Sequence, residues 1–244
     1  MIEVKALYKS FDGREVLRGI DATFEAGKTN LVIGRSGAGK SVFVKCMIGL
    51  FQPTSGQVLY DGRDIAQMSK HDLAALRKEM GMLFQGSALF DSMTVLENVM
   101  FPLEMFSSDA YNVYRSKALD LLERVGLTEA TDKYPSEISG GMMKRTAIAR
   151  ALALNPKYLF CDEPNSGLDP KTSKVIDLLI QDLTREYGIT TIVNTHDMNT
   201  VRTIGDKIVY INQGCKEWEG SSATIETTGT PGLHLFINAG LDGA

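Results

Sequence analysis

Apolar and polar residues divide the chain into three stretches. In the first, residues 2–7 and 16–24 alternate apolar and polar with a period of two, which predicts strands. Asp12-Gly13 supplies a turn between them. Residues 29–33 form a short apolar run that predicts a buried strand. A glycine-rich stretch follows at once, and 42–50 then has helical spacing. Residues 56–60 and 81–84 read as further strands. From 87 to 154 strand signals fade and helical spacing takes over, at 95–101, 111–125 and 141–154. Asp109 and Ser139 are the expected N-caps of the last two helices. Beyond them strands alternate with helices again. Residues 158–161 and 190–194 are apolar strands, 171–187 an amphipathic helix between them, and 208–211 and 216–218 the closing strands. Alternation of this kind predicts an α/β fold with a largely parallel sheet. The block 87–154 reads as a helical insertion.

Composition changes this picture little. A chain of 244 residues suits one large domain or one domain with an inserted subdomain. The net charge of −4 points away from a nucleic-acid partner, whose phosphates call for a basic face. No apolar run reaches the eighteen residues that would predict a membrane span, and the first residues lack a signal-peptide layout. Cys46, Cys161 and Cys215 are widely spaced, as expected of reduced thiols in a cytoplasmic protein.

The glycine-rich stretch carries the first candidate chemistry. Gly34-Arg35-Ser36-Gly37-Ala38-Gly39-Lys40-Ser41 matches G-x-x-x-x-G-K-[ST] between a predicted strand and a predicted helix. Its backbone N–H groups and the following helix N-terminus suit phosphate oxygens. Lys40 supplies a charge for the β- and γ-phosphates and Ser41 a hydroxyl for Mg²⁺. Asp162 and Glu163 end a second apolar strand, where ligands bind in an open α/β sheet. Asp162 is the expected Mg²⁺ ligand, and Glu163 the group that orients or deprotonates the attacking water. His196 follows a third apolar strand and is placed to reach the γ-phosphate. Gln85 follows the strand at 81–84 and is placed to touch Mg²⁺ or water. A second glycine loop, Ser139-Gly140-Gly141-Met142, precedes a helix far from the first.

Together and in this order these residues resemble the ATP-binding subunit of ABC transporters, over nearly the whole chain. The resemblance implies a P-loop NTPase core with an N-terminal antiparallel β subdomain and an inserted helical subdomain. The core would take 1–86 and 155–244, and the helical part 87–154. The resemblance makes Gly34 to Ser41 the Walker A loop, Gln85 the Q-loop glutamine and Ser139 to Met142 the signature loop. Asp162 becomes the Walker B aspartate, Glu163 the catalytic glutamate, Asp169 the end of the D-loop and His196 the switch histidine. Phe11, with Tyr8 a weaker alternative, would stack on adenine. In the family two subunits sandwich two ATP molecules, each between one subunit's Walker A loop and the other's signature loop. The implied cofactors are ATP and Mg²⁺, and the implied partners are a second copy of the subunit and an integral membrane permease. The implied location is peripheral, on the cytoplasmic face of the inner membrane.

The signature departs from the family pattern at Met142, where Gln is usual. Ser-Gly-Gly-Met is similar to the ATPases of Mla-type lipid transporters, which partner with MCE proteins. Residues 83–95 and 98–103, and the tail from Gly229-Thr230-Pro231 through Phe236 to Gly240, resemble the same group. This similarity implies lipid cargo. The ATPase motifs themselves leave amino acids, metal chelates and lipoproteins open as cargo, and leave open a soluble ABC ATPase such as an iron–sulfur assembly factor. Asn165 stands where the family more often has Thr. Leu89, Phe90 and Met93 are expected to line part of a groove for the permease's coupling helix.

Overall fold

The computed structural model describes residues 1–239; Gly240 lies outside them. The chain opens with β1 (Ile2–Phe11) and β2 (Arg14–Phe24), joined at Asp12-Gly13, where both residues take positive φ. That geometry suits the twist of a two-residue hairpin. β3 (Thr29–Ile33), the glycine loop and α1 (Lys40–Met47) follow. Next come β4 (Ser55–Tyr60), the two-residue β5 (Arg63–Asp64), α2 (Lys70–Lys78) and β6 (Met80–Leu83). Three helices then run without an intervening strand: α3 (Val95–Phe106), α4 (Tyr111–Arg124) and α5 (Gly140–Leu152). The last part alternates β7 (Tyr158–Asp162), α6 (Pro170–Glu186), β8 (Thr190–Thr195) and α7 (Met198–Ile204). It closes with β9 (Lys207–Asn212), β10 (Cys215–Gly220), the short α8 (Ile225–Thr228) and α9 (Pro231–Ala239).

Two sheets organise these elements. The antiparallel one has the order β2-β1-β4-β5. The other runs β10-β9-β3-β8-β7-β6 and is parallel except for the β9–β10 hairpin. β3 and β8 are buried along their whole length, as strands covered on both faces must be. Alternate residues of these two strands and of β7 serve different cores. Val32, Phe160 and Ile192 pack toward the antiparallel sheet with Phe24 and Phe43, while Leu31, Ile33, Leu159 and Val193 pack toward the helices. The helix side forms a continuous apolar cluster from the sheet through α3, α4 and α5.

Several boundaries differ from expectation for local reasons. Asp109 does not cap α4. The N-cap is Ala110, which has no side-chain acceptor, and the Asp109 carboxylate instead takes Lys117 Nζ at 2.6 Å. α3 runs on through Pro102 to Phe106. Its start is fixed by a capping box, in which Thr94 accepts from the Glu97 N–H at 3.2 Å and Glu97 accepts from the Thr94 N–H at 2.7 Å. α2 was not anticipated because it buries only Leu76; the Ser69 cap on the Asp72 N–H was its readable signal. β6 and α5 meet very closely: a Cβ added at Gly81 would lie 2.4 Å from the Ala151 carbonyl oxygen.

Candidate functional site

The C-terminal ends of β3, β7 and β8 open on one cleft of about 830 Å³. Arg35, Ser36, Gly37, Gly39, Lys40 and Ser41 line it from one side. Gln85, Asp162, Glu163, Asn194 and His196 line it from the other. Gly34 sits at the root of the loop with φ +153°, and a Cβ there would lie 2.2 Å from the Ile211 carbonyl oxygen. No side chain fits, so the loop can lie directly against β9. α1 begins at Lys40 with Gly39 as N-cap and no side-chain acceptor for its first N–H groups. Those donors, and the positive end of the helix, face the cleft and suit an anion.

Lys40 is 8% exposed and donates to the carbonyls of Gly34 at 2.8 Å and Arg35 at 3.2 Å. Burial lowers its pKa from the usual lysine value, against the opposing pull of Glu163 and Asp162. The ammonium is thus held by weak neutral acceptors and can be recruited by a phosphate.

Asp162 accepts from Asn194 Nδ2 at 2.6 Å. Glu163 has φ +47°, a conformation costly for a residue with a side chain. Its backbone is tied at both ends: its N–H donates to the Asn194 carbonyl at 2.9 Å, and its carbonyl accepts from the Ser166 N–H at 3.1 Å. Its carboxylate meets His196 Nδ1 at 2.8 Å. Gln85 Nε2 donates to Ser166 Oγ at 3.1 Å, and the Gln85 carbonyl accepts from buried Lys144 on α5. Strand ends and loops thus bring a cation, two carboxylates, an amide and an imidazole around one space.

Other expected site residues lie elsewhere. Ser139, Gly140, Gly141 and Met142 do not line the cleft. Ser139 caps α5 by accepting from the Met142 N–H at 3.3 Å, and Gly141 lies against Thr172 of α6. Met142 is half-buried against the helix-side core. Asp169 caps α6, accepting from the N–H groups of Lys171 and Thr172, both at 3.0 Å. Phe11 is 38% exposed at the end of β1, edge-on to Phe51 at 5.3 Å, outside the cleft lining; the Tyr8 ring lies over Gly19. Asn194, Val16 and Phe236 line the cleft without having been anticipated. For Asn194 the readable signal was a polar residue at the end of an apolar strand.

A second concavity of about 520 Å³ lies between β6 and the helical block. Phe84, Phe90, Phe101, Pro102 and Phe106 line it with Arg150. Phe90 is therefore on the groove, whereas Leu89 packs on the core and Met93 is not part of the lining.

The donors suit a small hard cation. Ser41, Asp162 and Gln85 offer only oxygens, and Mg²⁺ commonly takes one or two carboxylates and completes its shell with phosphate and water. Among the described residues no group of three or more His, Cys, Asp and Glu competes for a metal. Asn194 Oδ1 is buried without a protein partner, an acceptor available to water beside the cation.

The fold and this cleft define a P-loop nucleotide-hydrolysing cassette. A profile described as ABC transporter matches residues 17–166. The chain therefore belongs to the ABC transporter family. It is 44% identical over 209 residues to the methionine import ATP-binding protein MetN of Caulobacter vibrioides, covering 86% of this chain and 63% of that protein. It is 38% identical over 237 residues to the probable ribonucleotide transport ATP-binding protein mkl of Mycobacterium leprae, covering 97% and 68%. Among solved structures, the ATP-binding cassette MJ0796, a dimer in a post-hydrolysis state bound to ADP and Pi, superposes with a TM-score of 0.81 at 32% identity. That match covers 91% of this chain and 99% of the other. The cbiO1 structure from Clostridium perfringens, part of the cbiONQ complex, gives 0.86 at 29% identity, covering 99% and 96%. The chain is an ATP-hydrolysing enzyme whose cofactors are ATP and Mg²⁺.

Proposed function

We propose that the chain powers a membrane transporter that moves lipids, working as a pair of identical subunits with a permease and an MCE-type protein. The observation that carries the transporter reading is the apolar groove next to the Q-loop. Phe84 on its wall immediately precedes Gln85, which lines the nucleotide cleft. A helix of the permease seated there would feel the state of the nucleotide, and the helical block 87–154 would be the moving part. Among the described residues no helix is long and apolar enough to cross a membrane.

In the cleft, Lys40 and the loop N–H groups hold the phosphates. Ser41, Asp162 and Gln85 would hold Mg²⁺, which when bound would supply positive charge against the negative charge that develops on the phosphate during transfer. Glu163 takes the proton of the attacking water, with its carboxylate aimed by His196. The α5 N-terminus at Ser139 to Met142 lies outside the lining of its own cleft and would be offered to the ATP of a second copy. In that arrangement Asp169 would lie at the shared boundary, and Phe11 would meet the base once nucleotide draws the loop inward.

Met142 supports lipid cargo together with the segments 83–95 and 98–103 and the tail. Similarity to the methionine import protein supports a second reading, an amino-acid importer. Purifying the tagged chain from detergent-solubilised native membranes separates the two. Recovery with a multispanning protein, an MCE protein and phospholipid supports lipid transport. Recovery with an amino-acid-binding protein would replace it with the second reading, and recovery of the chain alone would sink both.

A further inference from the structure

Asp177 is a carboxylate that the nucleotide cleft does not use. It stands on α6, 2% exposed, with no cation among its hydrogen-bond partners. Burying such a charge is costly unless its oxygens are satisfied. Asn165 Nδ2 donates to its Oδ1 at 2.7 Å and Thr200 Oγ1 to its Oδ2 at 2.9 Å. Asn165 Nδ2 also donates to Thr200 Oγ1 at 3.0 Å, so the three side chains close a ring. The carboxylate fixes the direction of every donor in that ring, because it can only accept.

Each member of the ring belongs to a segment that serves the cleft. Asn165 is two residues after Glu163 and precedes Ser166, which accepts from Gln85. Thr200 is on α7, four residues after His196, whose Nδ1 meets Glu163. α6, which carries Asp177, is capped by Asp169. Glu163 keeps its positive φ only while the backbone on both sides is held. A Thr at 165 would have a single hydroxyl proton and could not serve both Asp177 and Thr200 as the two amide protons of Asn165 do.

We propose that Asp177 is a positioning residue, which through Asn165 and Thr200 locks the loop 163–169 and the His196 segment into the arrangement that hydrolyses ATP. The pairing has a specific test, because exchanging its two members keeps the ring and reverses its polarity. In Asn165→Asp with Asp177→Asn, the amide donates from α6 to a carboxylate in the loop.

The inference rests on the ATPase reading of the cleft, so Glu163→Gln serves as control. Steady-state hydrolysis and fluorescent-ATP titration are measured for wild type, Asn165→Asp, Asp177→Leu, the exchanged double variant and the control. Asn165→Asp places two carboxylates together and should lower kcat about tenfold or more, as a misplaced catalytic group does, with nucleotide affinity little changed. The exchanged variant should recover most of that loss. If Asn165→Asp keeps wild-type kcat, or if the exchanged variant binds ATP normally yet stays as slow as Asn165→Asp, the positioning role is wrong. If Glu163→Gln hydrolyses ATP as fast as wild type, the cleft reading itself has failed. A poorly folded Asp177→Leu leaves the comparison between Asn165→Asp and the exchanged pair intact.

Discussion

Lys40 shows how much of the site resides in single side chains. It is nearly buried, its pKa lowered by that burial, and bound to two carbonyl oxygens that a phosphate can replace. Hydrogen bonds to charged groups contribute about 1.5–3 kcal/mol, so Lys40→Ala should weaken ATP binding by about 10- to 100-fold in a nucleotide titration. Met142 belongs to a different kind of position. Its side chain is half-buried against the helix-side core, where a thioether packs without needing a partner. Met142→Gln should cost about 1 kcal/mol and lower Tm by about 2–4 °C in a thermal melt, while ATP affinity stays the same. The two roles were not equally visible. The spacing around Lys40 names a phosphate loop from sequence alone. The packing of Met142 depends on which face of α5 meets the core, and a helix start with Met at positions 142 and 143 does not reveal that.

At the level of elements, legibility followed the strength of the local signal. Strands covered on both faces, such as β3 and β8, announce themselves as apolar runs. α2 and α7 bury few residues or are short, and they begin at side-chain caps on Ser69 and Asp197 that apolar spacing does not register. The ring at Asp177 was illegible because its members come from a loop and two helices and are joined only in three dimensions. It carries a pH signature of its own. Burial pushes the Asp177 carboxyl up to about 6 from an ordinary 3.8, against the hydrogen bonds of Asn165 and Thr200, with Asp197 adding repulsion. A folded-state pKa above the unfolded one means the native state holds that proton more tightly. The contribution is therefore fully present below about pH 4 and lost as pH rises through about 6; two pKa units correspond to at most about 3 kcal/mol. Thermal melts of wild type and Asp177→Asn across pH 4–8 should diverge over that window and run parallel above it. A difference that does not change with pH would contradict the assignment.

For the whole molecule, alternation of strand and helix was enough to anticipate a mostly parallel sheet. The division of its two faces between separate cores was not, since every residue of a fully buried strand looks equally apolar. The position of α9, which brings Phe236 to the edge of the cleft, was also hidden: the tail is short and its apolar residues give no hint of what they cover. The separation of cleft and signature loop within one chain makes a prediction about assembly. Glu163→Gln should bind ATP, lose about 10²–10⁴-fold in turnover and sediment as an ATP-dependent dimer. A monomer at saturating ATP would contradict a shared site. The close approach of Gly81 to the Ala151 carbonyl then acquires a mechanical meaning. At Gly81 the sheet edge and the end of α5 approach too closely for any side chain, so a tilt of α5 would pivot at that contact. From Ala151 back to Gly140 the helix is a lever arm of about 16 Å, so a tilt of about 10° at the fulcrum swings the signature loop through about 3 Å. A methyl group at Gly81 would press on the Ala151 carbonyl and force β6 and α5 apart, and the Lys144–Gln85 hydrogen bond that joins α5 to the cleft would shift with them.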